Sequence, residues 1–214
     1  MKLYTYYRST AAFRVRIALN LKGLAHELVP IHLRRAEHRA PEYLALNPQG
    51  LVPALEDGGE VISQSLAIIE YLEEKYPDPP LLPADRIARA RVRAMAMLVA
   101  CDMHPLNNLR VLNFLRSPLG LDEKAVTGTW YAHWIAEGFR ALEEQAKRAS
   151  GDGRHMFGTE VTLADVYIVP QMYNAVRFNC DVGPYPTLRA ICAHLETLPA
   201  FAKAAPEAQP DWEK

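Results

Sequence analysis

The chain is expected to fold as a small α/β unit followed by an all-helical unit, and three features of the sequence lead there. The first is the order of elements in roughly the first 80 residues, strand-helix-strand and then strand-strand-helix. The second is Pro77-Asp78-Pro79-Pro80-Leu81-Leu82-Pro83, where four prolines in seven residues stop a helix and form a stiff connector. The third is the helical patterning of nearly everything that follows. The units are accordingly placed at 1–82 and 83–214.

Leu3 to Tyr7 is short, aromatic and β-prone, and reads as the first strand. Ser9 or Thr10 can cap the helix that follows, whose Val15, Ala18 and Leu19 have helical spacing and which Gly23 can stop. His26 to Leu33 reads as a second strand, and Arg34 to Leu46 as a loop with a short helix. Leu51 to Leu55 and Glu60 to Ile62 flank Asp57-Gly58-Gly59, a hairpin signal. Ser65 opens a helix that carries Leu66, Ile69, Leu72 and Tyr76 and ends at Pro77. Beyond the linker, Asp85 to Phe114 has the composition of one long helix, kinked at Pro105. Breaks are expected at Ser150-Gly151-Asp152-Gly153 and near Gly183-Pro184-Tyr185-Pro186. In Val161-Thr162-Leu163-Ala164-Asp165-Val166, Thr162 is an N-cap with Asp165 as reciprocal partner three residues on, and the valines can staple across it.

Composition narrows the function classes. Half of the 214 residues are apolar and 23% are charged, the balance of a globular domain with a real core. A formal charge of −1 gives no overall field for nucleic acid or an anionic membrane. Cys101, Cys180 and Cys192 cannot pair off fully and have no metal-ligand spacing, which suits free thiols in a reducing compartment. Met1-Lys2-Leu3-Tyr4 does not open a signal peptide, and no apolar run is long enough to span a bilayer, so the expected location is cytoplasmic.

Several segments carry a resemblance. They are Arg8-Ser9-Thr10-Ala11-Ala12-Phe13-Arg14-Val15-Arg16, Asn47-Pro48-Gln49-Gly50-Leu51-Val52-Pro53, Gln64-Ser65-Leu66-Ala67-Ile68-Ile69-Glu70-Tyr71-Leu72, Asp102 to Arg110, Leu163-Ala164-Asp165 with Pro170-Gln171, and Ala208-Gln209-Pro210-Asp211. In this joint order the chain resembles the zeta-class glutathione transferases, a class that includes maleylacetoacetate isomerases. The resemblance implies a thioredoxin-like first domain, the glutathione transferase fold, glutathione as cofactor and a homodimer. One departure stands out: the family's Ser-Ser-Cys is Ser9-Thr10-Ala11 in this chain, so no protein thiol is available there. Isomerisation of a cis double bond by thiol addition and elimination does not need one, because glutathione brings its own sulfur.

The candidate residues follow from that chemistry. Ser9, at a strand-to-helix junction, reads either as an N-cap or as the donor that keeps a thiolate charged, with Thr10 and Ala11 contributing backbone N–H groups. Tyr7 is a rival donor, read as structural. Val52, before a proline that the resemblance makes cis, would pair through its backbone with the cysteinyl part of glutathione. Gln64 and Ser65 would hold the γ-glutamyl end, although Ser65 can also be a plain cap. His38 is either a ligand of the glycyl carboxylate or ordinary surface. His104, Asn108 and Arg110 are cofactor candidates from the second domain, with His104 and Asn108 placed on one helix face. Arg8, Arg110 and Arg177 are candidates to grip a small dicarboxylate, and Arg14 and Arg16 read as structural ion-pair partners.

The leading activity is maleylacetoacetate to fumarylacetoacetate isomerisation, a step of aromatic amino-acid and tyrosine degradation. Maleylpyruvate isomerase is the nearest alternative, a general glutathione transferase the next. A non-enzymatic binding module with this fold is the remote one. No metal, nucleic acid or membrane partner is expected.

Overall fold

The computed structural model describes residues 1–213, which fall into two compact units, Met1–Pro80 together with the segment from Thr197 onward, and Leu81–Glu196. The first unit is built on a four-stranded sheet of order β2-β1-β3-β4, with β1 Lys2–Thr5, β2 Glu27–Pro30, β3 Ala54–Asp57 and β4 Glu60–Ser63. β1 runs parallel to β2 and antiparallel to β3, and β3–β4 is a hairpin closed by Gly58 and Gly59, both at positive φ. That turn geometry matches the twist of the flanking strands and favours glycine. The helices of this unit are α1 Thr10–Leu21, the short α2 Pro41–Leu46 and α3 Ser65–Lys75. Single helical turns at Leu33–Arg35 and Glu37–Arg39 precede α2.

α1 is buried along almost its whole length, because it packs against α3 and against the late helix α9 Pro199–Ala204. The sequence assigns everything after residue 82 to the helical half; the structure instead returns the last segment to the first unit. Phe201 and Ala204 are 1% exposed there, and Asn20 Nδ2 donates to the Ala200 carbonyl at 2.9 Å. The first strand also ends earlier than its aromatic run suggests, at Thr5, leaving Tyr6 and Tyr7 to turn toward α1.

The second unit holds α4 Arg86–Met97, α5 Leu109–Arg116, α6 Ala132–Ala149, α7 Leu163–Arg177 and α8 Pro186–Leu195. The single long helix expected over Asp85 to Phe114 is interrupted. α4 runs into a π-helical turn, Leu98–Met103, the chain turns through His104 to Asn107, and α5 starts afresh with Asn108 as its N-cap. Pro105 has no N–H to continue the ladder, so it breaks the helix instead of bending it. Gly138 of α6 passes close to the π-helical turn, where a Cβ would run into the Met103 side chain. Among the described residues no helix is long and apolar enough to cross a membrane.

The cap written at Thr162 is present. The carboxylate of Asp165, fully buried, accepts from the N–H of Thr162 (2.7 Å), the hydroxyl of Thr162 (2.9 Å) and the N–H of Met156 (2.7 Å). It thus ties the start of α7 to the preceding loop. Asp165→Ala leaves two buried N–H groups without this acceptor and is expected to cost about 3 kcal/mol. Denaturant unfolding of the two proteins measures the difference.

Candidate active site

Strand register gathers the predicted residues of the first unit. Tyr4 pairs with Ala54 and Ala54 with Ser63, so the end of β1, the start of β3 and the end of β4 share one edge of the sheet. From that edge the chain leaves through Tyr6–Ser9 into α1 and through Gln64 into α3, and it arrives through Val52–Pro53 into β3. Both helices therefore begin there. Helix N-termini carry partial positive charge and outward-pointing N–H groups, which makes this edge a place for anions.

Ser9 is the N-cap of α1. Its Oγ accepts from the Ala12 N–H at 3.2 Å, and its own N–H donates to the Tyr6 carbonyl at 2.9 Å. A hydroxyl accepts and donates at once, so capping does not remove its ability to donate outward. The two readings of Ser9 are compatible. Thr10 is buried and Ala11 half-exposed. Tyr7 is 1% exposed, with its hydroxyl donated to the Glu213 carbonyl at 3.2 Å, so it braces the turn. Arg8 is half-buried, its guanidinium 5.1 Å from the centre of the Tyr7 ring.

The two arginines of α1, Arg14 and Arg16, are both buried. Arg16, 1% exposed, donates to the Ala204 carbonyl (2.9 Å), Thr5 Oγ1 (3.0 Å), the Tyr6 carbonyl (3.4 Å) and the Tyr7 carbonyl (3.1 Å). Arg14, equally buried, points Nη1 at Ser65 Oγ, 3.5 Å away. That places a positive charge behind the serine at the start of α3, where a carboxylate would bind. The sequence held a signal for this: two arginines stand inside Phe13-Arg14-Val15-Arg16-Ile17, in a helix that is apolar on either side of them.

The third segment is held from behind. The Leu51 carbonyl accepts from Tyr43 Oη (2.7 Å) and Asn47 Nδ2 (2.8 Å), and the Val52–Pro53 peptide is cis. Gln64, at φ 72°, donates its side-chain amide to Gln49 Oε1 at 2.9 Å, which adds Gln49 to the site. His38 is half-buried and its Nδ1 is buried without a partner among the described residues. Burial, and then the nearby Arg39 charge, lower the pKa of its imidazole. Gly50 lies against this loop at φ 60°, where a Cβ would stand 2.9 Å from the His38 carbonyl oxygen.

Glutathione carries a carboxylate at each end and a thiol between them, and these residues fit it. Ser65, Gln64 and Arg14 suit the γ-glutamyl carboxylate, the Val52 backbone a peptide, and Ser9 with the α1 terminus a thiolate; the unpartnered His38 Nδ1 suits the second carboxylate.

The candidates of the second unit are described by themselves. His104, half-buried, closes the π-helical turn, and Asn108 accepts from the Arg110 N–H at 3.1 Å. These two residues do not share one helix face, since the turn between them belongs to neither helix. Arg110 is exposed on the first turn of α5. Arg177 ends α7, exposed, with Nη2 donated to Asn174 Oδ1 at 3.1 Å and its guanidinium 4.6 Å from the Phe178 ring centre. It borders a cavity of about 780 Å³ with Met172, Val176, Arg189 and Cys192. Burial raises the thiols of Cys180, to about 11, and of Cys192, which leaves both unreactive. Cys101 is exposed.

Comparison with known proteins gives the family. Residues 3–80 match the model of the glutathione S-transferase N-terminal domain. The chain is 52% identical over 211 residues to maleylpyruvate isomerase of a Ralstonia species, covering 99% of each chain. It is 52% identical over 214 residues to maleylacetoacetate isomerase of Pseudomonas aeruginosa PAO1, covering 99% of this chain and 98% of that one. Among solved structures, maleylacetoacetate isomerase of Methylobacterium extorquens AM1 with bound malonate and glutathione superposes with a TM-score of 0.95, at 42% identity and full coverage of both chains.

Gly50→Ala tests the loop packing. The side chain needs a positive φ and meets the His38 carbonyl, Arg39 Nη1 and Leu44 Cδ2 within about 3 Å. The expected result is a loss of about 1–2 kcal/mol of stability, read by thermal unfolding, together with weaker binding of glutathione by calorimetry.

Proposed function

Because this chain belongs to the zeta class of the glutathione transferase family, being 47% identical over 212 residues to a zeta-class glutathione S-transferase of Euphorbia esula, we propose that it is a glutathione-dependent cis–trans isomerase of a small unsaturated dicarboxylate, with maleylacetoacetate as the first substrate. The observation that carries the reading is the convergence of Ser9, Val52 and Ser65 on one sheet edge, at two helix N-termini. A solved relative that holds malonate together with glutathione supports a site for both kinds of ligand.

When bound, glutathione supplies a thiolate that adds to the cis double bond and leaves once the bond has rotated. The hydroxyl of Ser9 donates to the sulfur, and the α1 terminus with the Thr10 and Ala11 backbone favours its negative charge. Val52 pairs with the peptide, Gln64 and Ser65 with the γ-glutamyl end, and His38 with the glycyl carboxylate. His104, Asn108 and Arg110 are assigned as further cofactor ligands on their chemistry. Arg8, Arg110 and Arg177 are assigned to the substrate: a planar guanidinium grips both oxygens of a carboxylate and offsets charge that develops on the neighbouring carbonyl oxygen.

Maleylpyruvate is the second reading, because the named maleylpyruvate and maleylacetoacetate isomerases are equally similar to this chain. Both substrates present the same cis-dicarbonyl head. A cytoplasmic homodimer is proposed with the function, and size-exclusion chromatography tests the dimer.

The deciding assay is a side-by-side rate measurement on the two substrates with glutathione supplied; no turnover of either overturns the proposal. Ser9→Ala is expected to lower kcat by about tenfold or more while costing about 1 kcal/mol in stability, the value of a lost cap. Unchanged turnover removes Ser9 from the chemistry. Arg177→Met is expected to raise KM for the dicarboxylate about tenfold and to leave glutathione affinity alone. Collapse of glutathione affinity instead would assign Arg177 to the other ligand.

A further inference from the structure

The turn that carries Ser9 is held by the far end of the chain. The N–H of Tyr7 donates to Asp211 Oδ2 at 3.0 Å, and the hydroxyl of Tyr7 donates to the Glu213 carbonyl at 3.2 Å. The Glu213 carboxylate is anchored in turn by His32 Nε2 at 3.2 Å and by Arg35. His32 Nδ1 accepts from the Arg35 N–H, so the ring proton sits on Nε2 and faces Glu213. Further back, Gln209 is buried and donates to the Lys203 and Ala205 carbonyls, and Arg16 Nε donates to the Ala204 carbonyl. Apart from the local bonds of Gln209 and of Arg35 to His32, these contacts join residues about 180 to 206 positions apart, so local helix or strand propensity has no part in them.

The bond to Asp211 falls on the peptide group between Tyr6 and Tyr7. The plane between Tyr6 and Tyr7 presents its carbonyl to the Ser9 N–H and to Arg16 Nη1, and its N–H to Asp211. The direction of Ser9 is thus set by a plane whose opposite side is pinned by a carboxylate from the tail. We infer that residues 204–213 are a positioning strap for Ser9, and that Asp211, by fixing the 6–7 peptide, aims the Ser9 hydroxyl in the reaction proposed above, on which the inference rests. Asp211 is a positioning residue: it acts through the turn, and its requirement is an acceptor in the right place rather than a negative charge.

The test compares Asp211→Ala, Asp211→Asn and Ser9→Ala in the full chain. It reads isomerase kcat and KM, and the pH midpoint of the ultraviolet thiolate absorbance of bound glutathione. Asp211→Ala is expected to lower kcat about tenfold, to keep KM for the dicarboxylate within about twofold, and to raise the thiolate midpoint by about one pH unit. Asp211→Asn restores most of both, because its amide oxygen still accepts from Tyr7. Wild-type kcat and midpoint in Asp211→Ala, or equal impairment in Asp211→Asn, overturn the strap. Should Asp211→Ala fail to fold, Tyr7→Phe removes only the bond to Glu213; it is expected to lower kcat about threefold with a smaller midpoint shift, and a wild-type midpoint overturns the proposal. If Ser9→Ala itself leaves the midpoint unmoved, the thiolate assignment fails and the strap with it. A shift in Ser9→Ala but none in Asp211→Ala sinks the strap alone.

Discussion

The guanidinium of Arg16 is buried next to the sheet, and moving such a charge out of water is costly unless hydrogen bonds replace its hydration. Here Thr5, Tyr6 and Tyr7 from the first turn and Ala204 from α9 supply oxygens. The requirement works in both directions. The cation needs carbonyls aimed inward, and a chain leaving a strand has carbonyls that need donors. Satisfying both ends β1 at Thr5, turns Tyr6 and Tyr7 away from the sheet and starts α1 at a defined place. It also explains why the last helix returns to the first unit: one of the four oxygens is on it.

The N-termini of α7 and α8 are met differently from those of α1 and α3. In the helical unit the starts of α7 and α8 are met by carboxylates from within. Asp165 serves α7, and the buried Glu143 of α6 accepts from Thr187 and Leu188 at the start of α8. In the α/β unit, α1 and α3 have no acidic residue in their first turns and begin with Ser9 and Gln64–Ser65. A neutral hydroxyl caps without cancelling the positive end of the dipole. Anions from within occupy the first pair of ends, whereas the second pair keeps its charge preference for an anionic ligand. Arg14 adds a guanidinium beside Ser65 at the start of α3.

Legibility in the sequence follows from how local each feature is. The Gly58-Gly59 turn, the α1 cap and the Thr162–Asp165 cap are written within a few residues, and each appears where its residues indicate. The break at Pro105 was visible as a proline, but its severity depended on Asn108 being able to restart a helix three residues on, so a kink and a break read alike. Arg16 and Asp211 were hidden for a different reason. Their partners lie far away in the chain, and an arginine inside a helical run shows no preference for carbonyls over acids until the fold brings either one near. Gln49 and Gly50 stood inside a recognised segment, yet their roles depend on the His38 loop and Gln64 folding back onto them.

Burial also sorts the arginines near the first turn into distinct tasks. Arg16 is surrounded by oxygens of its own chain, Arg14 stands behind a serine, and Arg8 is half-buried beside Tyr7 with its guanidinium toward the ring. Only a guanidinium that solvent still reaches can exchange water for a substrate carboxylate; a saturated one cannot without dismantling the turn. Arg8, Arg110 and Arg177 keep guanidinium groups that solvent reaches, as their proposed role requires, while Arg14 and Arg16 are buried. A carboxylate grip reads the head that the two candidate substrates share. On the proposed reading, discrimination between them therefore has to come from groups that meet the tail rather than from the shared carboxylate grip.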